Sequence, residues 1–141
     1  MTKKYIGTKE ILAWGQEKDG KPGYAVKYPD GYISWSPKDV FEAAYRKCEG
    51  TGQHLTFGDA IHFLGQGKKV ARAGWDGKGM FLFLVPGSTF KVNRPPLLGI
   101  YPEGTDINYR PHIDLKGIDG SISTWNPTCN DVLAEDWLIV E

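Results

Sequence analysis

Cysteine and histidine, the side chains that most often bind transition metals or attack substrates, are scarce in this sequence. Cys48 and Cys129 lie far apart, and His54, His62 and His112 have no ligand partner at the spacing of a zinc site. The sequence also lacks a G-x-S-x-G motif, a P-loop and a dinucleotide-binding fingerprint. We therefore expect no metal, no cofactor and no catalytic residue, as in a protein that binds a ligand without changing it.

Long apolar runs and the pattern of a signal peptide are not found in the sequence either. No apolar stretch approaches the ~18 residues that a membrane-spanning helix needs. The start, Met1-Thr2-Lys3-Lys4, is followed by mixed polar residues and does not have the pattern of a signal peptide. These absences predict a cytoplasmic protein with no membrane partner, in which both cysteines are free thiols.

The chain has no excess of charge of either sign. It contains 17 basic and 17 acidic residues, and this balance disfavours a nucleic-acid polymer as the partner. The charges are nevertheless uneven: residues 68–94 hold six basic residues and one acidic residue, whereas residues 103–141 hold two basic and eight acidic residues. A local excess of cations on a neutral protein favours a small anionic ligand, although ordinary solvated charges give the same pattern.

The 18 glycines and nine prolines indicate many turns and few long helices. The patterns between these turns predict an α+β fold with a small antiparallel sheet, because several short apolar runs are joined by Asp-Gly turns. The strands are predicted at residues 4–13, 23–28, 32–35, 69–73, 80–85, 112–117, 120–125 and 137–140.

Two main helices are predicted, over residues 37–48 and 57–65. Ser36 is the expected N-cap of the first helix, with Pro37 at its first position, and Thr56 is the expected N-cap of the second. One apolar face of the second helix is predicted from the spacing of Phe57, Ala60, Ile61 and Leu64.

The composition also predicts where the chain divides and where it is irregular. Residues 49–53 resemble a linker, so we expect an N-terminal module at 1–49, made of a strand, a hairpin and a helix, and a second domain at 54–141. Residues 86–111 contain five prolines and are expected to form a long functional loop. A short helical turn is expected at 131–135.

A tryptophan inside a glycine-rich turn distinguishes the stretch at residues 70–88. Trp75 is surrounded by three glycines, Asp76 and Lys78, and Asp76-Gly77 suits a tight hairpin. A tryptophan on such a turn presents a large flat surface on which a planar ring can stack. Burial of Trp75 in the core is the alternative.

Several motifs follow one another in a specific order after the second predicted helix. They are K-x-x-R-x-G-W at residues 69–75, an apolar strand, P-x-I-D at 111–114, Trp125, and D-x-L-A-x-D-W at 131–137. In this order, residues 54–141 resemble the phage-encoded Thoeris anti-defence 2 family. Residues 4–48 lie outside the resemblance and are similar to an N-terminal extension found on other phage and prophage proteins.

The resemblance implies a protein that sequesters a signal in the cytoplasm of an infected bacterium. Proteins of this family bind the cyclic ADP-ribose isomers made by TIR-domain immune sensors, and some resemble binders of cyclic dinucleotides at separate sites. The family fold is a small α+β domain that assembles as a homotetramer with pockets between subunits. The resemblance therefore implies that the protein is a homotetramer and that its function is to bind these nucleotides and hold them without cleavage.

Eight residues are candidates for contact with such a ligand. Trp75, Phe81 and Trp125 are expected to stack on the base, and Asp131 is expected to accept hydrogen bonds from ribose hydroxyls. The weaker candidates, for phosphate or ribose, are Arg72, Asn93, Arg94 and Arg110. Core packing of the three rings and helix capping by Asp131 are the alternative.

Two other functions are compatible with the sequence. Five tryptophans and seven tyrosines suit a carbohydrate- or surface-binding phage module. A nucleotide hydrolase that uses Asp131 or Asp136 is the second alternative, since both carboxylates lie near the end of the chain.

Overall fold

The computed structural model describes residues 1–75 and 77–141. These residues form two compact units, Met1–Arg46 and Lys47–Glu141. Asp76 is outside the described residues, so the predicted Asp76-Gly77 turn lies outside them as well. Before it, residues Ala73–Trp75 form a single 3₁₀ turn.

The first unit is a three-stranded antiparallel sheet followed by a helix. The strands lie in chain order and are β1 (Leu12–Gly15), β2 (Gly23–Lys27) and β3 (Ile33–Pro37), and the helix is α1 (Lys38–Ala44). The ring of Phe41 in α1 stacks on the ring of Tyr24 in β2, with centroids 4.1 Å apart. The helix therefore packs on one face of this sheet.

The predicted first strand at residues 4–13 is wrong in its position. The strand begins at Leu12, which pairs with Lys27 at the end of β2. Beyond Lys27 the partner chain turns away at Pro29-Asp30-Gly31, where Gly31 has a positive φ of 91°. Residues 4–11 consequently precede the sheet and are not part of β1.

The predicted bounds of the first helix are also wrong. Ser36 pairs with Tyr24 within β3, and Pro37 occupies the N-cap position without a side-chain hydrogen bond. The helix ends at Ala44 instead of Cys48, because the backbone of Tyr45 is extended.

The second unit is a five-stranded antiparallel sheet with a helix packed against it and a separate two-stranded ribbon. The strand order in the sheet is β10-β4-β5-β8-β9, and β6 pairs with β7 in the ribbon. The elements are α2 (Phe57–Gly65), β4 (Lys69–Arg72), β5 (Phe81–Val85), β6 (Ser88–Lys91), β7 (Asp106–Tyr109), β8 (His112–Lys116), β9 (Ile122–Thr124), α3 (Cys129–Leu133) and β10 (Trp137–Val140).

Helix α2 begins at the predicted N-cap, Thr56. The Thr56 hydroxyl accepts the backbone N–H of Asp59 at 3.2 Å, and the Asp59 carboxylate accepts the backbone N–H of Thr56 at 2.9 Å. Two N–H groups that the helix leaves unpaired are thereby satisfied. The helix buries Ala60, Phe63 and Leu64 against Val70 and Leu82 of the sheet.

The predicted apolar face of α2 is partly wrong. Ile61 is exposed, and Phe63 occupies the core position that was predicted for Ile61. Ala60, Phe63 and Leu64 have the i, i+3, i+4 spacing of one helix face, and Ile61 lies beside that face.

Two further predictions for the second unit need correction. Residues 86–111 are not one irregular loop, because β6 and β7 pair within them. The short helical turn begins at Cys129 and ends at Leu133, two residues earlier than predicted, because Thr128 caps it.

The predicted fold class is confirmed. Among residues 1–75 and 77–141, all pairs of the ten strands are antiparallel, the sheets are small, and α1 and α2 are the two main helices. Within the described part of the chain, we find no helix with the length and apolar character that crossing a membrane requires.

The capping box of α2 gives a first prediction. Replacement of Thr56 by alanine removes the side-chain acceptor for the Asp59 N–H, and we expect it to lower the free energy of unfolding by about 0.5–2 kcal/mol. Urea denaturation measures the change, and Thr56→Ser, which retains the hydroxyl, is the control. Equal stability of the alanine and serine variants would contradict the role given to this cap.

Candidate functional site

Four aromatic rings meet where α2 packs against the edge of the five-stranded sheet. Trp137, the first residue of β10, is 0% exposed. The ring centroids of Phe57, Trp75 and Trp125 lie 5.4, 5.8 and 6.1 Å from that of Trp137. The Trp137 indole N–H donates to the carbonyl oxygen of Asp131 at 3.0 Å. Trp137 is thus a core residue against which the other three rings are packed.

Trp75 and Trp125 are the half-buried members of this cluster on the loops that leave the sheet. Their ring centroids are 6.4 Å apart and their planes are inclined by 83°, an edge-to-face contact. Trp125 is held in addition by its backbone N–H, which donates to the carbonyl oxygen of Ile113 at 2.9 Å. These two perpendicular indoles form a corner. The planar ring of a ligand can stack on one indole while the edge of the ligand ring contacts the other.

Arg72, at the end of β4, connects two carboxylates beside the aromatic cluster. Its Nε and Nη2 donate to the two carboxylate oxygens of Asp136 at 2.9 and 3.4 Å, and its Nη1 donates to Oδ1 of Asp131 at 3.0 Å. The hydrogen bonds from Arg72 to Asp136 and to Asp131 raise the pKa of Arg72 above its usual value. One cation and two anions give this group a net negative charge, which does not favour a phosphate.

Asp131 is buried, with 8% exposure, and both of its carboxylate oxygens have partners. Oδ2 accepts the backbone N–H and the hydroxyl of Thr128 at 2.8 and 2.9 Å. The backbone N–H of Asp131 donates in return to the Thr128 hydroxyl at 3.2 Å, and this bond and the one from the Thr128 N–H form the capping box of α3. Burial opposes ionisation of Asp131, but the hydrogen bonds from Thr128 and the pairing with Arg72 outweigh it. The pKa of Asp131 therefore lies below its usual value.

Phe81 does not join the aromatic cluster within one chain. Its neighbour Leu82 is buried in the core, and since successive side chains of a strand point to opposite faces, Phe81 lies on the other face of the sheet. There, the ammonium groups of Lys69 and Lys116 lie 4.9 and 5.5 Å from the centroid of its ring.

The three remaining candidate residues are exposed and lie near the ends of the β6–β7 ribbon. Asn93 and Arg94 follow β6, and Arg110 follows β7. Because the two strands are antiparallel, Arg110 is at the opposite end of the ribbon from Asn93 and Arg94. The structure thus brings together Arg72, Trp75, Trp125 and Asp131, and places Phe81, Asn93, Arg94 and Arg110 elsewhere.

Comparison with known proteins identifies the segment that carries this cluster. The model of the Thoeris anti-defense 2-like domain matches residues 55–140. The chain belongs to the Thoeris anti-defense 2-like family. A Thoeris anti-defense 2 protein of Bacillus phage SP01 is 40% identical over 89 residues, which make up 61% of this chain and 94% of that relative. The resemblance of residues 54–141 is confirmed, and membership of the family supports a role in phage anti-defence.

Sequence reasoning missed part of the site in this Thoeris anti-defense 2-like domain. The sequence predicts Phe57 as a core residue of α2, and Trp137 as the start of a strand and the last residue of the motif at 131–137, without assigning either to the site. The cap at Thr128 is not predicted. The T-x-x-D pattern at 128–131 repeats that at 56–59 and was a usable signal. No group of three metal-binding side chains converges anywhere in residues 1–75 or 77–141.

The lowered pKa of Asp131 gives a second prediction. A carboxylate with a folded-state pKa below its unfolded value of about 3.9 stabilises the fold at neutral pH, and this contribution is lost as the pH falls through the folded-state pKa. We expect Asp131→Asn to lower the melting temperature at pH 7 and to reduce the loss of stability on acidification. Thermal unfolding followed by circular dichroism at several pH values measures both effects.

Asp106→Asn is the matched control, because the ion pair of Asp106 with Lys91 is exposed and contributes little. If the two variants have the same pH dependence of melting, Asp131 does not stabilise the fold in the way described.

Proposed function

We propose that this protein captures cyclic ADP-ribose isomers made by TIR-domain sensors of Thoeris systems and holds them without cleavage. Cyclic dinucleotides are a second class of expected ligand, and the cytoplasm of an infected bacterium is the expected place of action. The observation that supports this function best is the corner formed by Trp75 and Trp125.

The corner suits the base of a nucleotide because both rings are fixed before the ligand arrives. Trp137 packs behind Trp75 and Trp125 and is itself completely buried. A base that stacks on such a ring gains roughly 1–3 kcal/mol, and little of this is lost to ordering of side chains.

The group formed by Arg72, Asp131 and Asp136 suits the ribose better than the phosphates. Its net charge is negative, and Asp136 is the more exposed of its two carboxylates. Ribose hydroxyls are donors and phosphates are not, so a carboxylate selects the sugar. The phosphates need cations outside this group, and the exposed Arg94 and Arg110, which lie at opposite ends of the ribbon, are two separate candidates.

The same group argues for binding without hydrolysis. A general acid needs a raised pKa, and a general base needs an oxygen that faces the substrate. The pKa of Asp131 is lowered, and its oxygens are engaged by Thr128 and Arg72.

The proposed assembly is a homotetramer, and we assign a contact between copies to the face of the five-stranded sheet that carries Phe81. The helix α2 packs on the other face, whereas Phe81, Phe83 and Ile122 are partly or fully exposed. A second copy that covers this face brings its own aromatic side chains to Phe81. In this way Phe81 contributes to a pocket between subunits although it is remote from Trp75 in its own chain.

Recovery of the ligand tests the proposed function against its alternatives. The protein is incubated with a cyclic ADP-ribose isomer, separated from free ligand and heated, and the released molecules are identified by mass spectrometry. Return of the intact isomer supports sequestration. Release of a linear or fragmented nucleotide indicates a hydrolase, and absence of bound nucleotide together with retention on a polysaccharide indicates a carbohydrate-binding module.

The aromatic corner gives a third prediction. We expect Trp125→Ala to weaken binding of the cyclic ADP-ribose isomer by about 5- to 150-fold, the equivalent of one lost stacking contact. Isothermal titration calorimetry measures this loss. Trp14→Ala, which removes a tryptophan of the first unit, is the matched control and should bind like the unaltered protein. Unchanged affinity of a folded Trp125→Ala protein would remove Trp125 from the site.

The uncovered sheet face gives a fourth prediction. Light scattering should give a mass near four times the 15.7 kDa of one chain. Phe83→Lys places a charge on this face, and we expect it to lower the mass without unfolding the chain. Lys91→Glu on the ribbon is a charge-change control that should leave the mass unchanged. A monomer mass for the unaltered protein would contradict the proposed assembly.

A further inference from the structure

The first unit has an aromatic surface of its own, on the face of its sheet that α1 does not cover. Trp14 of β1 and Trp35 of β3 are both paired with Ala25 of β2, so the two indoles flank one small residue on the same face. Ala25 is only 2% exposed, because its neighbours cover it, while Trp14 remains 44% exposed. We call this face the tryptophan platform.

Both indoles of the tryptophan platform are fixed by the same residue. The N–H of Trp35 donates to the carbonyl oxygen of Gln16 at 2.7 Å, and the N–H of Trp14 donates to the side-chain oxygen of Gln16 at 3.3 Å. A Cβ atom at Gly23 would overlap the ring of Trp35, so this ring lies close along the backbone of β2. The N–H groups of both indoles are therefore already engaged, and since Trp35 is half-buried, the exposed ring of Trp14 is the main stacking surface.

The charged side chains that the strand alternation places on this platform are all lysines. Lys18 and Lys21 extend the β1–β2 ladder by an isolated bridge and keep the alternation of Trp14 and Ala25. The Lys18 ammonium lies 5.6 Å from the centroid of the Trp35 ring. At the other end, Lys27 lies between Leu12 and Ile33.

We propose that the tryptophan platform binds single-stranded nucleic acid without sequence preference. Unpaired bases stack on exposed aromatic faces and need no hydrogen bond from their edges, and the phosphates of the same strand need cations beside those faces. Two indoles bordered by lysines supply both. The inference concerns the first unit and is independent of the function proposed for the second.

The spacing of the lysines favours a strand over a single nucleotide. Lys21 lies two residues before β2 and Lys27 is the last residue of β2, so the two are six residues apart, which is about 20 Å in extended chain. A polymer with a charge at each repeat can reach both ends, whereas one nucleotide reaches a single lysine. The balanced charge of the whole chain, from which we expected no nucleic-acid polymer, includes acidic residues that do not lie on this face.

Other ligands fit the tryptophan platform less well. A carbohydrate needs several directed hydrogen bonds, but both oxygens of Gln16 already accept hydrogen bonds from the two indoles. An acidic peptide complements the lysines but offers no row of planar rings for the indoles. Duplex DNA hides its bases from stacking.

The test is fluorescence anisotropy of a short labelled oligothymidylate with the full-length protein over a series of salt concentrations. We expect binding that weakens with salt, as for any ligand held by several lysines. Trp14→Ala should weaken it by about 5- to 150-fold, and Trp14→Phe should restore most of the affinity. Lys27→Ala should reduce the logarithmic salt slope by about 0.7, whereas Lys38→Ala, on α1, should not change it.

Three outcomes would overturn the proposal. The first is that the unaltered protein does not bind the oligonucleotide, and the second is that Trp14→Ala binds it with unchanged affinity. The third is that thymidine monophosphate, duplex DNA or oligoglutamate displaces the labelled oligonucleotide as efficiently as the unlabelled oligonucleotide does. Circular dichroism verifies that each variant is folded. If Trp14→Ala unfolds, the salt slopes of Lys27→Ala and Lys38→Ala decide, and equal slopes refute the platform.

Discussion

The burial of Trp137 is the interaction on which the second unit depends, because this one residue connects four parts of the chain. Its backbone exchanges two hydrogen bonds with Leu55, just before α2, and its indole N–H binds the carbonyl oxygen of Asp131. Its ring supports Trp75 and Trp125. A large apolar ring with its single donor satisfied can be buried completely, so the candidate site rests on a rigid base.

The polar half of the site is held by an equally connected group. Arg72 comes from a central strand, Asp131 from a short helix and Asp136 from the segment that leads into β10. A five-residue helix such as α3 has little stability of its own. Its capping box and the ion pair between Asp131 and Arg72 provide the stability that a longer helix obtains from its additional backbone hydrogen bonds. The aromatic corner and the charged group therefore have fixed relative positions.

Features that depend on neighbours in sequence could be predicted, and features that depend on distant pairing could not. The cap at Thr56 and the strand at residues 137–140 follow from local patterns and are confirmed. The ribbon at β6 and β7 was missed because its strands are separated by a proline-rich segment without a turn signature. The alternation of side chains along β5 places Phe81 and Leu82 on opposite faces of the sheet, but the sequence alone does not indicate which face carries the site.

The close approach of Trp75, Trp125 and Trp137 also influences the intrinsic fluorescence of this protein. Their centroids are 5.8, 6.1 and 6.4 Å apart, so excitation absorbed by one indole passes to the others before emission. The three rings consequently share the excitation that any one of them absorbs, so a base stacked on one ring is expected to change the emission of the whole cluster. The other two tryptophans, Trp14 and Trp35, belong to the first unit, Met1–Arg46.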